Sequence, residues 1–103
     1  MSDINSVVYN FRFTWDEGKR QENIGKRGLD IAVLAEKVFA DPNLIVRQDA
    51  RKEHGEDRYL AYGIAGGLRL CLCFTPRGET IHLITVFRVN KKDWEKYYGG
   101  KTS

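Results

Sequence analysis

The residues of this chain that are best suited to chemistry lie around a predicted proline-containing turn. If residues 76–78 form a three-residue hairpin loop, Thr75 faces Glu79 across that hairpin. If residues 66–67 form a two-residue loop, counting back along the paired strands places Arg58 opposite Thr75. The groups that would then lie close together are two arginines, two carboxylates and one imidazole: Arg58, Arg77, Glu56, Glu79 and His54.

Side chains of these types can hold an anion and transfer a proton. The planar guanidinium of arginine matches the oxygens of a phosphate, carboxylates serve as acids or bases, and His54 titrates near neutral pH. The alternative is a set of surface charges at loop ends, which pair weakly and contribute little to stability. Because a one-residue slip would turn Arg58 to the other face of the sheet, the residues alone leave both alternatives open.

The strands that must position these groups are predicted from the alternation of apolar and polar residues. The clearest strand covers 68–75, where leucine or phenylalanine occupies every second position. The last three long strands are joined by short turns, so they should form an antiparallel meander. The predicted strands are 7–14, a short segment from 44, 58–64, 68–75 and 80–88.

Capping residues and helical periodicity predict three helices. The first covers about 16–26 and ends at Gly28, and the second covers about 31–40 after the N-cap Asp30. Asn90 caps the last helix. The predicted order is β-α-α-β-β-β-β-α, which is an α+β fold with a mainly antiparallel sheet and helices packed on one face.

The composition favours one globular domain over residues 1–103. Hydrophobic residues make up 42% of the 103 residues, which is enough for a core over about 7–98. No apolar run reaches the roughly 18–20 residues that cross a bilayer, and the first residues lack the pattern of a signal peptide. We therefore expect a cytoplasmic protein that does not bind membranes. The net charge of +3 fits RNA, an acidic protein partner or neither.

The cysteines and histidines do not predict a disulfide or a metal site. Cys71 and Cys73 lie two positions apart on a strand, about 6.5–7 Å along it, which is too far for a relaxed disulfide. With His54 and His82 they share no metal-ligand spacing, so we expect no metal and no cofactor. His82 lies among apolar residues, and we expect it to be a packed or edge histidine.

Six short motifs follow one another along the chain. They are Phe13-Thr14-Trp15-Asp16 followed by Lys19, Asn23, Lys26 and Gly28; Val38-Phe39-Ala40-Asp41-Pro42; Gly55-Glu56-Asp57-Arg58 followed by Gly63; Phe74-Thr75 with Arg77-Gly78; Ile81 with Leu83-Ile84-Thr85; and the basic segment from Lys91 to Tyr98. In this order and spacing they resemble the BrnT family of bacterial toxin–antitoxin ribonucleases over residues 11 to about 98.

The resemblance implies a RelE-like fold, metal-independent RNA cleavage and inhibition by a BrnA-like antitoxin protein. DNA would then be bound only indirectly, through the antitoxin. Metal-free cleavage uses the 2′-hydroxyl as nucleophile and needs a base, an acid and cations for the charge on the phosphorane. We predict Arg58, Arg77, Glu79 and Glu56 as catalytic residues, and His54, Arg88, Lys91 and Lys92 as substrate-binding residues.

Two positions depart from the family pattern. Arg27 stands where the family usually has histidine, and Phe87 stands where it has arginine. Arg88 comes one position later and, by strand alternation, should face the other side of the sheet. The alternative hypothesis is therefore a weakened or inactive BrnT-like module that only binds an antitoxin or RNA.

Overall fold

Five strands and three helices follow the predicted order in the computed structural model, which describes residues 12–49 and 55–98. The start of the predicted first strand and the predicted site residue His54 lie outside the described residues. The strands are β1 (Arg12–Trp15), β2 (Ile45–Asp49), β3 (Arg58–Ala65), β4 (Leu68–Arg77) and β5 (Thr80–Arg88). The helices are α1 (Glu17–Arg27), α2 (Ile31–Phe39) and α3 (Lys91–Tyr97).

All five strands belong to one sheet in the order β1-β5-β4-β3-β2. The antiparallel meander of β3, β4 and β5 is confirmed, and β2 adds to it in antiparallel orientation. Only β1 is parallel to its neighbour, β5. This mainly antiparallel α+β architecture confirms the predicted fold class.

The helix ends form where capping side chains satisfy free backbone groups. Asp16 and Asp30 accept hydrogen bonds from backbone amides in the first turns of α1 and α2. Gly28 adopts the left-handed conformation, with φ of 69°, that ends α1. Arg20 donates two hydrogen bonds, of 2.8 and 2.9 Å, to the carboxylate of Asp30 and thereby ties α1 to the start of α2.

The two tight hairpins differ in how well their register could be predicted. Residues 66–67 form the predicted two-residue turn, with Ala65 paired to Leu68 and both glycines at positive φ. The predicted three-residue loop at 76–78 is wrong, because Arg77 pairs with Thr80. The turn is therefore residues 78–79, with Gly78 at φ 60° in the first central position, where a positive φ suits the strand twist.

The main core lies between α2 and one face of the sheet. Gly63 of β3 lets α2 approach closely, since a Cβ there would lie 2.9 Å from the backbone oxygen of Val38. Asp41, just after α2, accepts a 2.7 Å hydrogen bond from the backbone amide of Ile64. The buried residues of this core include Leu29, Ile31, Ala35, Val38, Ala61, Leu70, Leu72, Ile81, Leu83 and Val86.

The opposite face of the sheet carries the last helix. Tyr62 and Cys71, which are paired across β3 and β4, form a second buried cluster with Val89 and Trp94 of the α3 region. The prediction that the helices pack on one face is therefore wrong for α3. The reason is that the centres of β3 and β4 are apolar on both faces, so each face needs a cover. Cys71 and Cys73 are both buried, and no disulfide joins them.

Candidate active site

Arginines are concentrated on the sheet face that lies opposite α2 and is partly covered by α3, which we call the open face. The strand registers place five of the six arginines in the described strands on this face: Arg12, Arg47, Arg58, Arg69 and Arg77. The sixth, Arg88, shares the α2 face with its partner Leu70. The described strands hold one carboxylate, that of Asp49. This one-sided excess of positive charge suits a polyanion.

Arg77 lies at the turn end of the open face and pairs with a carboxylate from the loop before β3. Its terminal nitrogen Nη2 is 3.1 Å from Oε2 of Glu56. The two side chains are 50% and 36% exposed. An ion pair this exposed is weak, so a phosphate can compete for the guanidinium at little cost.

Thr75 fixes the loop that carries Glu56. Its side chain is only 2% exposed, and its hydroxyl donates a 2.7 Å hydrogen bond to the backbone oxygen of Asp57. The pairing of Tyr59 with Phe74 puts Arg58 beside Thr75, as predicted. Among the described residues, Nε of Arg58 is the buried side-chain polar atom without a hydrogen-bond partner. A buried donor left free in this way is suited to an anion.

His82 brings an imidazole to the same place. It lies directly opposite Thr75, and its Nδ1 shares a 2.8 Å hydrogen bond with Oγ1 of Thr14. Burial lowers the pKa of His82 below its usual 6.5, and the charge of Arg77 lowers it further, while Glu56 partly offsets both effects. At neutral pH the ring is therefore uncharged and can accept a proton.

Comparison with known proteins identifies the family. A sequence model described as "Ribonuclease toxin, BrnT, of type II toxin-antitoxin system" matches residues 15–93. The chain belongs to the BrnT family. No curated protein and no solved structure matches it. A ribonuclease toxin must bind phosphodiesters, and the open face of this BrnT chain offers the cations for that task.

The structure brings together three of the four residues predicted to be catalytic. Arg58, Arg77 and Glu56 surround Thr75 on the open face. Glu79 does not join them, because it lies in the turn and Thr75 faces His82 instead. His82 could not be recognised as a site residue from its strand position, because its place beside the cations depends on a turn at residues 78–79.

The residues predicted to bind substrate are spread more widely. Arg88 faces the α2 side and donates a 3.1 Å hydrogen bond to the backbone oxygen of Arg27, so it does not lie beside Arg77. Lys91 and Lys92 are exposed at the start of α3. Phe87 pairs with Cys71 and lies on the open face, which confirms that Phe87 and Arg88 point to opposite sides.

Arg27, the other departure from the BrnT pattern, connects α1 to β5. Its Nη1 donates to Oδ1 of Asn23, to Oγ1 of Thr85 and to the backbone oxygen of Val86, at 2.9–3.0 Å. Several motif residues of α1 line a cavity of about 180 Å³ there: Lys19, Asn23, Lys26 and Arg27, with Glu22, Ile84 and Thr85. This cavity extends the positive surface along β5, whereas Arg27 itself is occupied as a structural tie.

The described residues contain neither a candidate metal-binding cluster nor a helix that could cross a membrane. Within residues 12–49 and 55–98, no group of three or more histidine, cysteine or acidic side chains could hold a metal ion. No helix in the same part of the chain is long and apolar enough to cross a membrane.

Proposed function

We propose that this chain is a metal-independent endoribonuclease toxin that cleaves RNA on the open face, beside Thr75. The observation that carries the proposal is the convergence of Arg58, Arg77 and His82 around one buried threonine. Two guanidinium groups supply cations for the charge on the phosphorane, and a neutral imidazole supplies the base that metal-free cleavage requires.

The roles follow from the chemistry of each group. Arg77 and Arg58 hold the scissile phosphate and stabilise the negative charge that grows on the phosphorane. His82 accepts the proton of the attacking 2′-hydroxyl, since its lowered pKa keeps the ring neutral. The 2′-oxygen forms a bond to phosphorus while the bond to the 5′-oxygen breaks. This step leaves a 2′,3′-cyclic phosphate, and the departing 5′-oxygen takes a proton from a water molecule, which Glu56 can orient once phosphate has displaced it from Arg77.

The regulatory partner follows from the family. A toxin of a type II system has an antitoxin protein as its partner, and we propose that this antitoxin is BrnA-like. The antitoxin would inhibit cleavage and would carry the contact with DNA, and the cytoplasm is where the pair would act.

Cleavage by matched arginine variants tests the proposal. Purified Arg77→Ala should cleave RNA about 10²–10³-fold more slowly than the unmodified protein in the presence of a chelator, because one transition-state donor is lost. Arg69→Ala is the control, since Arg69 lies on the same face and the same strand but at the opposite end. An equal loss of cleavage rate in both variants, or a strict need of the unmodified protein for divalent metal, would overturn the proposal.

The alternative of an inactive module rests on Phe87. If the family arginine is needed at this position, Phe87→Arg should increase RNA cleavage and toxicity in bacteria. If neither protein cleaves RNA or slows growth, while both bind an antitoxin, the chain is a binding module.

A further inference from the structure

A pocket of about 310 Å³ opens on the open face beside α3. We propose that it binds one unpaired base of the RNA, and this inference rests on the proposed function for its substrate class. The residues that line the pocket come from β2, β3, the end of β5 and α3: Arg47, Asp49, Leu60, Tyr62, Phe87, Val89, Asp93 and Tyr97.

Phe87 provides the surface on which a base can stack. Its side chain is 37% exposed, although Cys71, its partner on the neighbouring strand β4, is fully buried. The aromatic contacts of the described residues pair other rings with one another and do not include Phe87. An exposed ring on a sheet surface is the kind of platform that accepts the face of any base.

The opposite wall of the pocket is held rigid by a second set of ring contacts. Tyr62 and Tyr97 stack with their centroids 5.3 Å apart. The guanidinium of Arg47 lies 4.0 Å from the centroid of Tyr97, and its Nε and Nη2 donate to the hydroxyl of Tyr62 at 3.3 and 3.1 Å. Because these groups fix one another, the pocket keeps its shape without a ligand, which lowers the entropic cost of binding.

The charges in the pocket favour a base over a phosphate. Arg47 is engaged with two tyrosines, and the exposed carboxylate of Asp93 lies at the α3 side of the pocket. A carboxylate repels a phosphate but accepts hydrogen bonds from the amino groups of a base. The phosphates are drawn instead to Arg77 beside Thr75, whose exposed ion pair with Glu56 yields easily to a competing anion.

The distance between the pocket and the phosphate site suits adjacent parts of one RNA strand. Leu60 lines the pocket, and Arg58 lies two residues earlier on the same strand and the same face. Two residues of a strand span about 7 Å. A nucleotide whose phosphate sits beside Arg58 can therefore reach the pocket with its base or with the base of its neighbour.

Binding of uncleavable RNA to ring variants tests this inference. The probe is a fluorescently labelled single-stranded hexamer of 2′-fluoro RNA, which lacks the nucleophilic hydroxyl, together with a series in which one base at a time is removed. Phe87→Ala should weaken binding of the intact hexamer roughly 5- to 150-fold, the range expected for the loss of one stacked base. Phe87→Trp should retain the affinity.

Trp15→Ala is the matched control. Trp15 is also 37% exposed, but its partner Leu83 places it on the α2 face of the sheet. This variant should bind the hexamer with the affinity of the unmodified protein. In addition, one abasic hexamer should bind the unmodified protein weakly, and Phe87→Ala should no longer distinguish it from the intact hexamer.

The possible results separate this inference from the proposed function. Unchanged affinity of Phe87→Ala for the intact hexamer, in a protein that cleaves RNA, would overturn the base pocket and leave the nuclease. If the unmodified protein binds RNA without cleaving it, and Phe87→Ala loses that affinity, the pocket is supported and the nuclease is refuted. A pocket that serves a protein partner instead would leave RNA affinity unchanged in every ring variant, which also overturns the inference.

Discussion

The hydroxyl of Thr75 should matter more for cleavage than for stability. This side chain is 2% exposed and donates its 2.7 Å hydrogen bond to the backbone oxygen of Asp57, between Glu56 and Arg58. Thr75→Val removes the donor and keeps the branched shape of the side chain. The loop then loses the contact that fixes two proposed site residues relative to β4.

The cost to stability follows from the two groups involved. A hydrogen bond contributes about 0.5–1.5 kcal/mol net, and the exposed Asp57 can replace its lost donor by water, so we expect about 1 kcal/mol for Thr75→Val. Thr75→Ser keeps the hydroxyl and loses one buried methyl group, which also costs about 1 kcal/mol. Either change should lower the melting temperature by about 4–8 °C.

The two variants should differ in cleavage. Weakening the loop by about 1 kcal/mol reduces the competent geometry about fivefold, and misplacement of reacting groups by about 1 Å costs up to about 10²-fold. Thr75→Val should therefore cleave RNA roughly 5- to 100-fold more slowly, whereas Thr75→Ser should stay within about twofold. The assay is single-turnover cleavage of a labelled RNA at a temperature well below both melting transitions. Equal rates for the two variants would show that the loop does not position the site.

Three further predictions concern stability and side-chain chemistry. Leu72→Ala should lower the free energy of unfolding by about 2–5 kcal/mol in urea titration, because Leu72 is fully buried at the centre of β4, and an unchanged melting temperature would contradict this. His82 has a lowered pKa when folded, so the unfolded state binds its proton more readily. Its contribution to stability should be complete above about pH 6.5 and be lost as the pH falls below that value, and His82→Gln should flatten this part of the stability profile. Burial raises the pKa of Cys71 to about 12, so this thiol should react with an alkylating reagent only on unfolding, and neither a chelator nor a reductant should lower the melting temperature.

The parts of the fold that could be predicted are those fixed by local chemistry. Asp30 and Asn90 cap α2 and α3 as expected, and Asp16 caps α1 in the same way, because a side chain that accepts from the first turn acts within a few residues. The paired glycines at 66–67 fix a hairpin register in the same way, since both need positive φ. From that hairpin alone, the position of Arg58 beside Thr75 followed correctly.

The parts that could not be predicted depend on pairing between strands. The segment 76–79 offers both a proline and a glycine, and each is compatible with a different turn. The structure keeps Pro76 in β4 and turns at Gly78, which exchanges Glu79 for His82 as the partner of Thr75. A shift of this size changes the proposed chemistry, because it replaces a carboxylate by an imidazole at the centre of the site.

An irregularity in β5 explains why both proposed sites lie on one face. Cys73 pairs with Thr85 and the next residue, Phe74, pairs with Leu83, so β5 contains one extra residue, Ile84. His82 and Phe87 are five positions apart, and strict alternation would place them on opposite faces. The bulge reverses the alternation between them, so both reach the open face, with His82 beside the phosphate site and Phe87 in the pocket. With Ile84 kept in regular pairing, without the bulge, either His82 or Phe87 would turn away from the open face, whereas deletion of Ile84 leaves them four positions apart and should keep both on it; the bulge is therefore what lets residues five positions apart share one surface.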